Sequence, residues 1–266
     1  MKFFLTVSFM ACASIAAAQD RHACVIDPSF TVNLSSPFTG LLDEVLVDRG
    51  DWVEEGQTVA RLWSRLESAT VDLMKARAES DAEVAAQEAR LRLAQQAHER
   101  VAQLFNQRIS TREALEEREA ALEVATRGLS EAQLRQRLAQ LELQRAQISV
   151  EDRSIRAPIA GLVTERFLSP GEYLSSDDWV LTISRLDPLY VEAFVPTSLY
   201  GDVKIGQMAT VYPNLAGSEP RDAKIVIVDR VFDATSDTFG VRLELANPDA
   251  SLPAGQRCEV DFGVSK

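Results

Sequence analysis

Histidine is the side chain most often used for proton transfer near neutral pH, and this sequence of 266 residues contains only His22 and His98. His98 lies in a run of helix-forming residues beside Gln and Glu, which is typical of a solvent-facing position. No Ser-His-Asp set, metal-spaced His/Cys cluster or phosphate-binding loop occurs in the chain. We therefore expect a protein that is not an enzyme and that uses no metal and no cofactor.

Two stretches of the chain repeat one pattern. Residues 38–63 and 155–184 each contain an apolar run, a glycine, an apolar pair, a glycine followed by an acid, and a final apolar run. Gly40 in the first stretch corresponds to Gly161 in the second. Apolar alternation between Gly and Pro turns predicts short β-strands, so that the repeat predicts two similar β units.

A long segment without helix breakers separates the two β units. No proline occurs between Pro37 and Pro158, and no glycine occurs from 57 to 127. Proline and glycine destabilise a helix interior by about 3 and about 1 kcal/mol. Residues 64–152 are rich in Ala, Leu, Glu, Gln and Arg. We therefore expect two antiparallel helices of about 40 residues each, which would project roughly 60 Å.

The second half of this segment repeats every seven residues, which predicts an apolar seam between the helices. Small residues at one seam position favour close antiparallel packing. The first seam position is occupied by Leu115, Leu122, Leu129, Leu143 and Val150, with Gln136 as the exception, and the second by Ala125, Ala132, Ala139 and Ala146.

The first half has a looser apolar pattern, and the chain is expected to reverse at 106–111 with Ser110 or Thr111 as the N-cap of the next helix. A further apolar row off the main seam would face either a neighbouring subunit or a flanking strand. The seam of the first half is predicted at Leu66, Leu73, Val84, Leu91, Ala94, Val101 and Leu104, and the further row at Leu134, Leu141 and Ile148.

The remainder of the chain predicts a small closed β-barrel, because several short apolar runs follow one another between Gly and Pro turns. A short helical turn is expected at 197–203. The predicted strands are 189–195, 207–212, 223–232, 240–246 and 257–262.

The N-terminus is typical of a secretory signal peptide. Lys2 precedes an apolar run at 3–11, and the small residues at 16–18 predict cleavage before Gln19. The alternative is a lipid anchor on Cys12, although residues 9–11 match a lipidation motif poorly. No other stretch approaches the roughly 18 apolar residues that a membrane helix needs. We therefore expect an exported protein.

The formal net charge of −12 argues against nucleic acid as a partner, because phosphate binding needs clustered Lys and Arg. Cys24 and Cys258 remain after removal of the signal peptide. In an oxidising compartment these two residues either form a disulfide or stay as buried free thiols.

The order of these elements resembles the periplasmic adaptors, or membrane fusion proteins, of tripartite efflux and secretion systems. The resemblance covers nearly the whole mature chain. It rests on residues 40–62, the heptad segment, Ile155-Arg156-Ala157-Pro158 followed by Gly161, and the later residues 241–247 and 252–256. It implies an elongated α+β fold in which a long antiparallel coiled-coil hairpin is inserted in a split lipoyl-like β-sandwich, followed by a β-barrel.

The resemblance also implies a division into domains. The predicted segments are a signal peptide at 1–18, an N-terminal strand region near the barrel at 19–34, the first lipoyl-like half at 35–63, the helical hairpin at 64–152, the second lipoyl-like half at 153–186 and the β-barrel at 187–266.

Such a protein would be a non-catalytic adaptor in the periplasm, associated with the inner membrane. Its partners would be an inner-membrane transporter, an outer-membrane channel protein and further copies of itself, six in the family. The signal peptide favours a pump of the resistance-nodulation-division type. The alternative is an ABC or other secretion system.

A remoter alternative is a lipoyl or biotinyl carrier, which attaches its cofactor to a lysine at the tip between the two halves. The lysines of this chain lie elsewhere: Lys2, Lys75, Lys204, Lys224 and Lys266.

The resemblance implies two sets of site residues. Adaptors that dock on outer-membrane channels carry an Arg, a Leu and a Ser near the hairpin tip, and Arg100, Leu104 and Ser110 follow that order with a Leu-to-Ser spacing one residue short. Leu104 could instead pack inside the hairpin, and Ser110 could serve only as a helix cap. The family topology also places Cys24 and Cys258 at the barrel end, which favours a disulfide.

Overall fold

Two buried apolar cores organise residues 21–263, the part of the chain that the computed structural model describes. One core lies in the C-terminal β region around Ile225 and Phe239, and the other lies around Leu42 and Leu174 between the strands that flank the helices. The predicted signal peptide, its cleavage site, the alternative anchor Cys12 and the C-terminal Lys266 lie outside the described residues.

Strands flank a central group of helices. Within residues 21–263 the elements follow in the order β1 His22–Leu34, β2 Gly40–Val45, β3 Trp52–Val53, β4 Thr58–Leu62, α1 Arg65–Ala78, α2 Ala82–Asn106, α3 Arg112–Glu151, β5 Ser154–Arg156, β6 Gly161–Arg166, β7 Tyr173–Leu174, β8 Leu181–Pro196, a 3-10 turn Thr197–Leu199, β9 Met208–Pro213, β10 Arg221–Asp233, β11 Thr238–Leu245 and β12 Gln256–Asp261.

Six strands close into a barrel. The strand order of the larger sheet is β1-β12-β9-β10-β11-β8-β6-β3, and β1 also pairs with β8, which returns the sheet on itself. Closure leaves no free edge among these six strands, and their inward side chains form one of the two cores. Each predicted barrel strand overlaps an observed one.

β1 and β8 run through both cores, because β8 pairs with β1 first beside the sandwich, at Leu181 and Leu34, and then inside the barrel, at Ala193 and Cys24. The predicted strand 189–195 is therefore only the second half of a longer strand. Asp187–Pro188 suggests a strand end in the sequence, since proline cannot donate to a ladder. Here the proline lies where the register shifts, which is one of the places where a sheet tolerates it.

The two sequence repeats build one sandwich. Gly40 and Gly161 each open a six-residue strand, so that the predicted turns lie just before these glycines. The smaller sheet has the order β5-β4-β2-β7 and thus interleaves strands from both repeats. β4 pairs antiparallel with β5 through Thr58 and Arg156. The helices between them therefore leave the sandwich and return to it at adjacent strands.

α3 presents its predicted seam to the first two helices. It runs for 40 residues, and Ala132 on the seam is almost completely buried. Every other position of the predicted seam is partly buried, including Gln136, whereas Leu134, Leu141 and Ile148 are exposed. The further apolar row therefore does not pack under a flanking strand.

The prediction of one continuous first helix is wrong, because α1 ends at Ala78 and α2 begins at Ala82. In α1 the inward positions Val71 and Ala78 are seven residues apart, and the next would be Ala85. In α2 the inward row begins one residue earlier, at Val84. The break at 79–81 allows the inward row of α2 to start one residue earlier than a continuous helix would place it.

The first-half seam prediction is also wrong at Leu66 and Leu73, which are exposed. The seven-residue spacing of these two leucines predicts a seam, but the inward face of α1 is formed by Val71, Met74 and Ala78, which face α3.

The two repeat glycines make a matched pair of substitutions. A Cβ on Gly161 would overlap the carbonyl oxygen of Ser184 and lie 2.9 Å from its carbonyl carbon, whereas a Cβ on Gly40 would meet only Arg153 Nη1 at 3.6 Å. We expect Gly161→Ala to lower the free energy of unfolding by about 2 kcal/mol or more, because backbone must move. Gly40→Ala should change it by about 0.5 kcal/mol or less. Denaturant unfolding of both variants measures this, and equal effects would contradict the packing argument.

Candidate docking site at the helical tip

The tip of the hairpin is a compact turn in which the C-terminus of α2 is capped by backbone hydrogen bonds. The Arg108 N–H donates to the Phe105 carbonyl at 2.9 Å, and the Ile109 N–H donates to the Leu104 carbonyl at 2.9 Å. Arg108 has φ of 59°. These bonds and this left-handed residue form a Schellman motif, which satisfies carbonyls that a helix end would otherwise leave unpaired.

α3 begins at once after this turn. Thr111 is extended, with φ of −87° and ψ of 157°, and its hydroxyl accepts a hydrogen bond from the Ala114 N–H at 3.2 Å. A threonine oxygen in this position satisfies one of the free N–H groups of the first helical turn. Thr111 is therefore the N-cap, and the alternative that Ser110 caps the helix is wrong.

The structure places the three predicted docking residues near the end of the helices, with Arg100 and Leu104 on α2 and Ser110 in the turn. Arg100 is exposed on α2, one turn before Leu104, which is partly buried toward the seam. Ser110 is partly buried in the turn. Arg100 can offer several N–H donors to carbonyl or carboxylate oxygens, whereas Leu104 shares its surface between the hairpin and solvent. Their role in docking stays a prediction.

Sequence reasoning missed the two most prominent residues of the turn, Arg108 and Ile109. Ile109 is 69% exposed, and Arg108 is exposed beside it. A glycine at position 108 would have marked the helix end, since glycine is the usual residue of a Schellman motif. Ile109 fits no helical or strand period, so that only the folded turn reveals its position.

Polar contacts between α2 and α3 favour one alignment of the two helices. Arg135 of α3 pairs with Glu83 of α2, and its Nη2 lies 2.8 Å from Glu131. The hydrogen bond with Glu131, followed by the charges of Glu131 and Glu83, raises the pKa of Arg135 above its ordinary value. Nearer the tip, His98 Nε2 lies 3.9 Å from a Glu119 oxygen. Such exposed pairs contribute little stability but favour one alignment of the arms.

Arg153 fastens the other end of the hairpin to the sandwich. Its Nη2 lies 2.6 Å from Glu67 of α1, and its Nη1 donates to the Thr39 carbonyl at 3.4 Å. Its guanidinium carbon also lies 5.6 Å from the ring centre of Phe38. This one side chain therefore ties the start of α1 and the end of α3 to the strand region before β2.

Cys24 and Cys258 face each other on β1 and β12 and are joined by a disulfide, with their Cα atoms 4.8 Å apart. Both are buried in the barrel core. The bond links positions separated by 234 residues and fixes the first described strand to the last.

Removal of the disulfide should destabilise the barrel. For Cys24→Ser with Cys258→Ser we expect the free energy of unfolding to fall by about 3–5 kcal/mol, because a long loop is no longer closed in the unfolded chain. Denaturant unfolding under oxidising conditions measures the difference. Reductant should lower the stability of the wild type and leave the double variant unchanged; equal sensitivity of both proteins would contradict the role of the bond.

Two further features bear on membranes and metals. Among residues 21–263, no helix is both long enough and apolar enough to cross a bilayer. The same residues contain no group of three or more His, Cys, Asp and Glu side chains that could hold a metal ion.

Family comparisons cover nearly all of the described chain. Residues 31–185 match the CzcB-like barrel-sandwich hybrid domain, and residues 188–266 match the CusB-like β-barrel domain. The crystal structure of MacA from Actinobacillus actinomycetemcomitans shares the fold, with a TM-score of 0.74 and 22% identity over 90% of this chain and 76% of that one. The predicted combination of a β-sandwich and a β-barrel is confirmed.

Two curated relatives show the extent of sequence similarity. The cation efflux system protein CzcB of Alcaligenes sp. (strain CT14) is 27% identical over 236 residues, which cover 88% of this chain and 43% of that protein. This chain thus spans less than half the length of that relative. A UPF0194 membrane protein of Yersinia pseudotuberculosis serotype O:3 (strain YPIII) is 27% identical, with 87% of this chain and 86% of that protein covered.

Proposed function

The chain belongs to the membrane fusion protein family that carries a CzcB-like barrel-sandwich hybrid domain, and we propose that it is a periplasmic adaptor subunit. In this role it links an inner-membrane efflux pump of the resistance-nodulation-division type to an outer-membrane channel. It is non-catalytic and needs no cofactor. Its signal peptide directs it to the periplasm, where it associates with the inner membrane.

The observation that carries the proposal is the insertion of the helices between paired strands. Because β4 and β5 are neighbours in one sheet, α1 to α3 must project from the sandwich as a hairpin. α3 alone has 40 residues, which corresponds to a length of about 60 Å. A coiled-coil arm of this length, attached to a sandwich and a barrel, is suited to reach across the periplasm.

The same geometry disfavours a lipoyl or biotinyl carrier. A carrier needs an accessible lysine in the turn that joins two strands of its half-motif. Lys75 lies in α1, Lys204 follows the 3-10 turn, and Lys224 lies in β10. The place of a carrier's tip is taken here by the helices.

Each predicted segment has its own role in the assembly. The barrel at 187–266 contacts the pump, the lipoyl-like halves at 35–63 and 153–186 hold the hairpin, and the tip of 64–152 contacts the channel. Several copies, six as the family resemblance implies, surround a central passage. The exposed row of Leu134, Leu141 and Ile148 supports contact between copies, because an apolar row pointing away from the partner arm remains uncovered in one chain.

A charge at the tip tests this function. Leu104→Asp should reduce export to the level of cells that lack the chain, because a buried carboxylate is unfavourable in a protein–protein contact. Export is measured as the resistance or the efflux rate of cells that depend on the chain. Val84→Asp is the matched control, since Val84 is a partly buried seam residue of α2 far from the tip.

The two variants separate docking from folding. Both should lower the thermal unfolding midpoint slightly, and only Leu104→Asp should stop export. Equal loss from both variants would assign the effect to hairpin stability. Survival of export and of cross-linking to a channel in Leu104→Asp would remove Leu104 from the docking surface.

A further inference from the structure

The turn of the hairpin carries arginines in an acidic protein. The chain has 40 Asp and Glu against 28 Lys and Arg, for a net charge of −12. Residues 100–112 contain Arg100, Arg108 and Arg112 and no acid, and Glu99 and Glu113 flank this segment directly. Arg112 reaches Glu116 only at 3.9 Å in a highly exposed pair, so that its charge remains open to a partner.

Arg108 occupies a backbone position whose conformation favours glycine. Its φ of 59° lies in the left-handed region, where a Cβ is strained and glycine is not. Its backbone N–H makes the helix-capping bond, which a glycine would make equally well. The guanidinium is therefore not needed for the turn. A bulky residue in a left-handed backbone position motivates the search for a role outside the fold.

Ile109 is held in place and presented to solvent. Its N–H is bonded to the Leu104 carbonyl, which fixes its backbone. In a Schellman motif the residue at this position often packs on the helix, and Leu104 is the expected contact. Ile109 nevertheless remains 69% exposed, so that any such contact covers only a small part of it.

We propose that Arg108, Ile109 and Arg112 form the apical contact of the tip, in which Ile109 enters an apolar socket whose rim is rich in carboxylate and carbonyl oxygens. The partner is a protein, namely the outer-membrane channel of the proposed function, on which this inference rests. Arg108 and Arg112 donate to the rim, and Ile109 adds an apical contact to the docking surface predicted at Arg100, Leu104 and Ser110. Complementary charge selects and orients such a partner, while the central apolar residue holds it.

A lipid surface is the less suitable partner. Stable attachment to a bilayer requires a large apolar face or a lipid chain in addition to basic residues. The described turn at 107–110 offers one large aliphatic side chain. A socket that encloses this side chain uses it fully, whereas a membrane surface would hold the tip only weakly.

The experiment uses the full-length chain in cells, with a photocrosslinking phenylalanine analogue at exposed Gln107. The readout is the yield of the adduct with an outer-membrane protein, identified by mass spectrometry. Ile109→Asp should lower the yield about tenfold or more, and Arg108→Gly and Arg112→Gln about three- to tenfold. Leu93→Asp is the matched control, because Leu93 is also 69% exposed but lies on the side of α2; its yield should not change.

The folding readout separates the guanidinium from the turn. Arg108→Gly should keep or raise the thermal unfolding midpoint while the adduct is lost, since glycine suits the left-handed position. A lower midpoint would mean that Arg108 serves the fold, and the proposal would be overturned. Purified wild-type chain should not co-sediment with vesicles of phosphatidylethanolamine and phosphatidylglycerol; binding that depends on Ile109 would assign the tip to the membrane instead.

Failure of this inference and failure of the proposed function look different. A wild-type adduct with an outer-membrane channel that persists in Ile109→Asp and Arg108→Gly would overturn the apical contact and leave the adaptor function intact. Absence of any such adduct, together with unchanged export in cells lacking the chain, would remove both.

Discussion

The antiparallel pairing of β4 with β5 is the constraint on which the rest of the molecule depends. These strands are separated in sequence by all three helices, yet Ala60 and Ile155 lie opposite each other in one ladder. Pairing strands so distant carries a loop-closure cost, and the antiparallel helices reduce it because they return the chain to its starting point. The seam of α3 and the ladder of the sandwich therefore support each other, and Arg153 ties the two at their junction.

Much of this arrangement follows from the sequence, because its signals are periodic. In α3 the apolar seam residues recur every seven residues. In the strands of the sandwich and the barrel, apolar residues recur every two residues. The break between α1 and α2 is less visible, since it depends on a one-residue change of phase between Ala78 and Val84. The tip is hardest to predict, because Arg108 stands where glycine would have marked the turn and Ile109 belongs to no period.

The tip of the hairpin and the barrel differ in their chemistry. Arg100, Arg108 and Arg112 lie at the tip with Glu99 and Glu113 directly beside them, so that attraction of these arginines to an anionic partner would act at short range. The disulfide between Cys24 and Cys258 stiffens the opposite end, where the first and last described strands meet. The molecule thus combines a closed, cross-linked barrel with an arm whose end carries the exposed Arg108 and Ile109.

Cross-linking from both ends of the same protein tests the adaptor function most directly. A photocrosslinking residue would be placed in one chain at Gln107, in the tip turn, and in another at Val231, which is 84% exposed near the end of β10 in the barrel. The adaptor role predicts an outer-membrane channel protein as the adduct of position 107 and an inner-membrane transporter as the adduct of position 231. Adducts with proteins of one and the same membrane from both positions would contradict a bridging role.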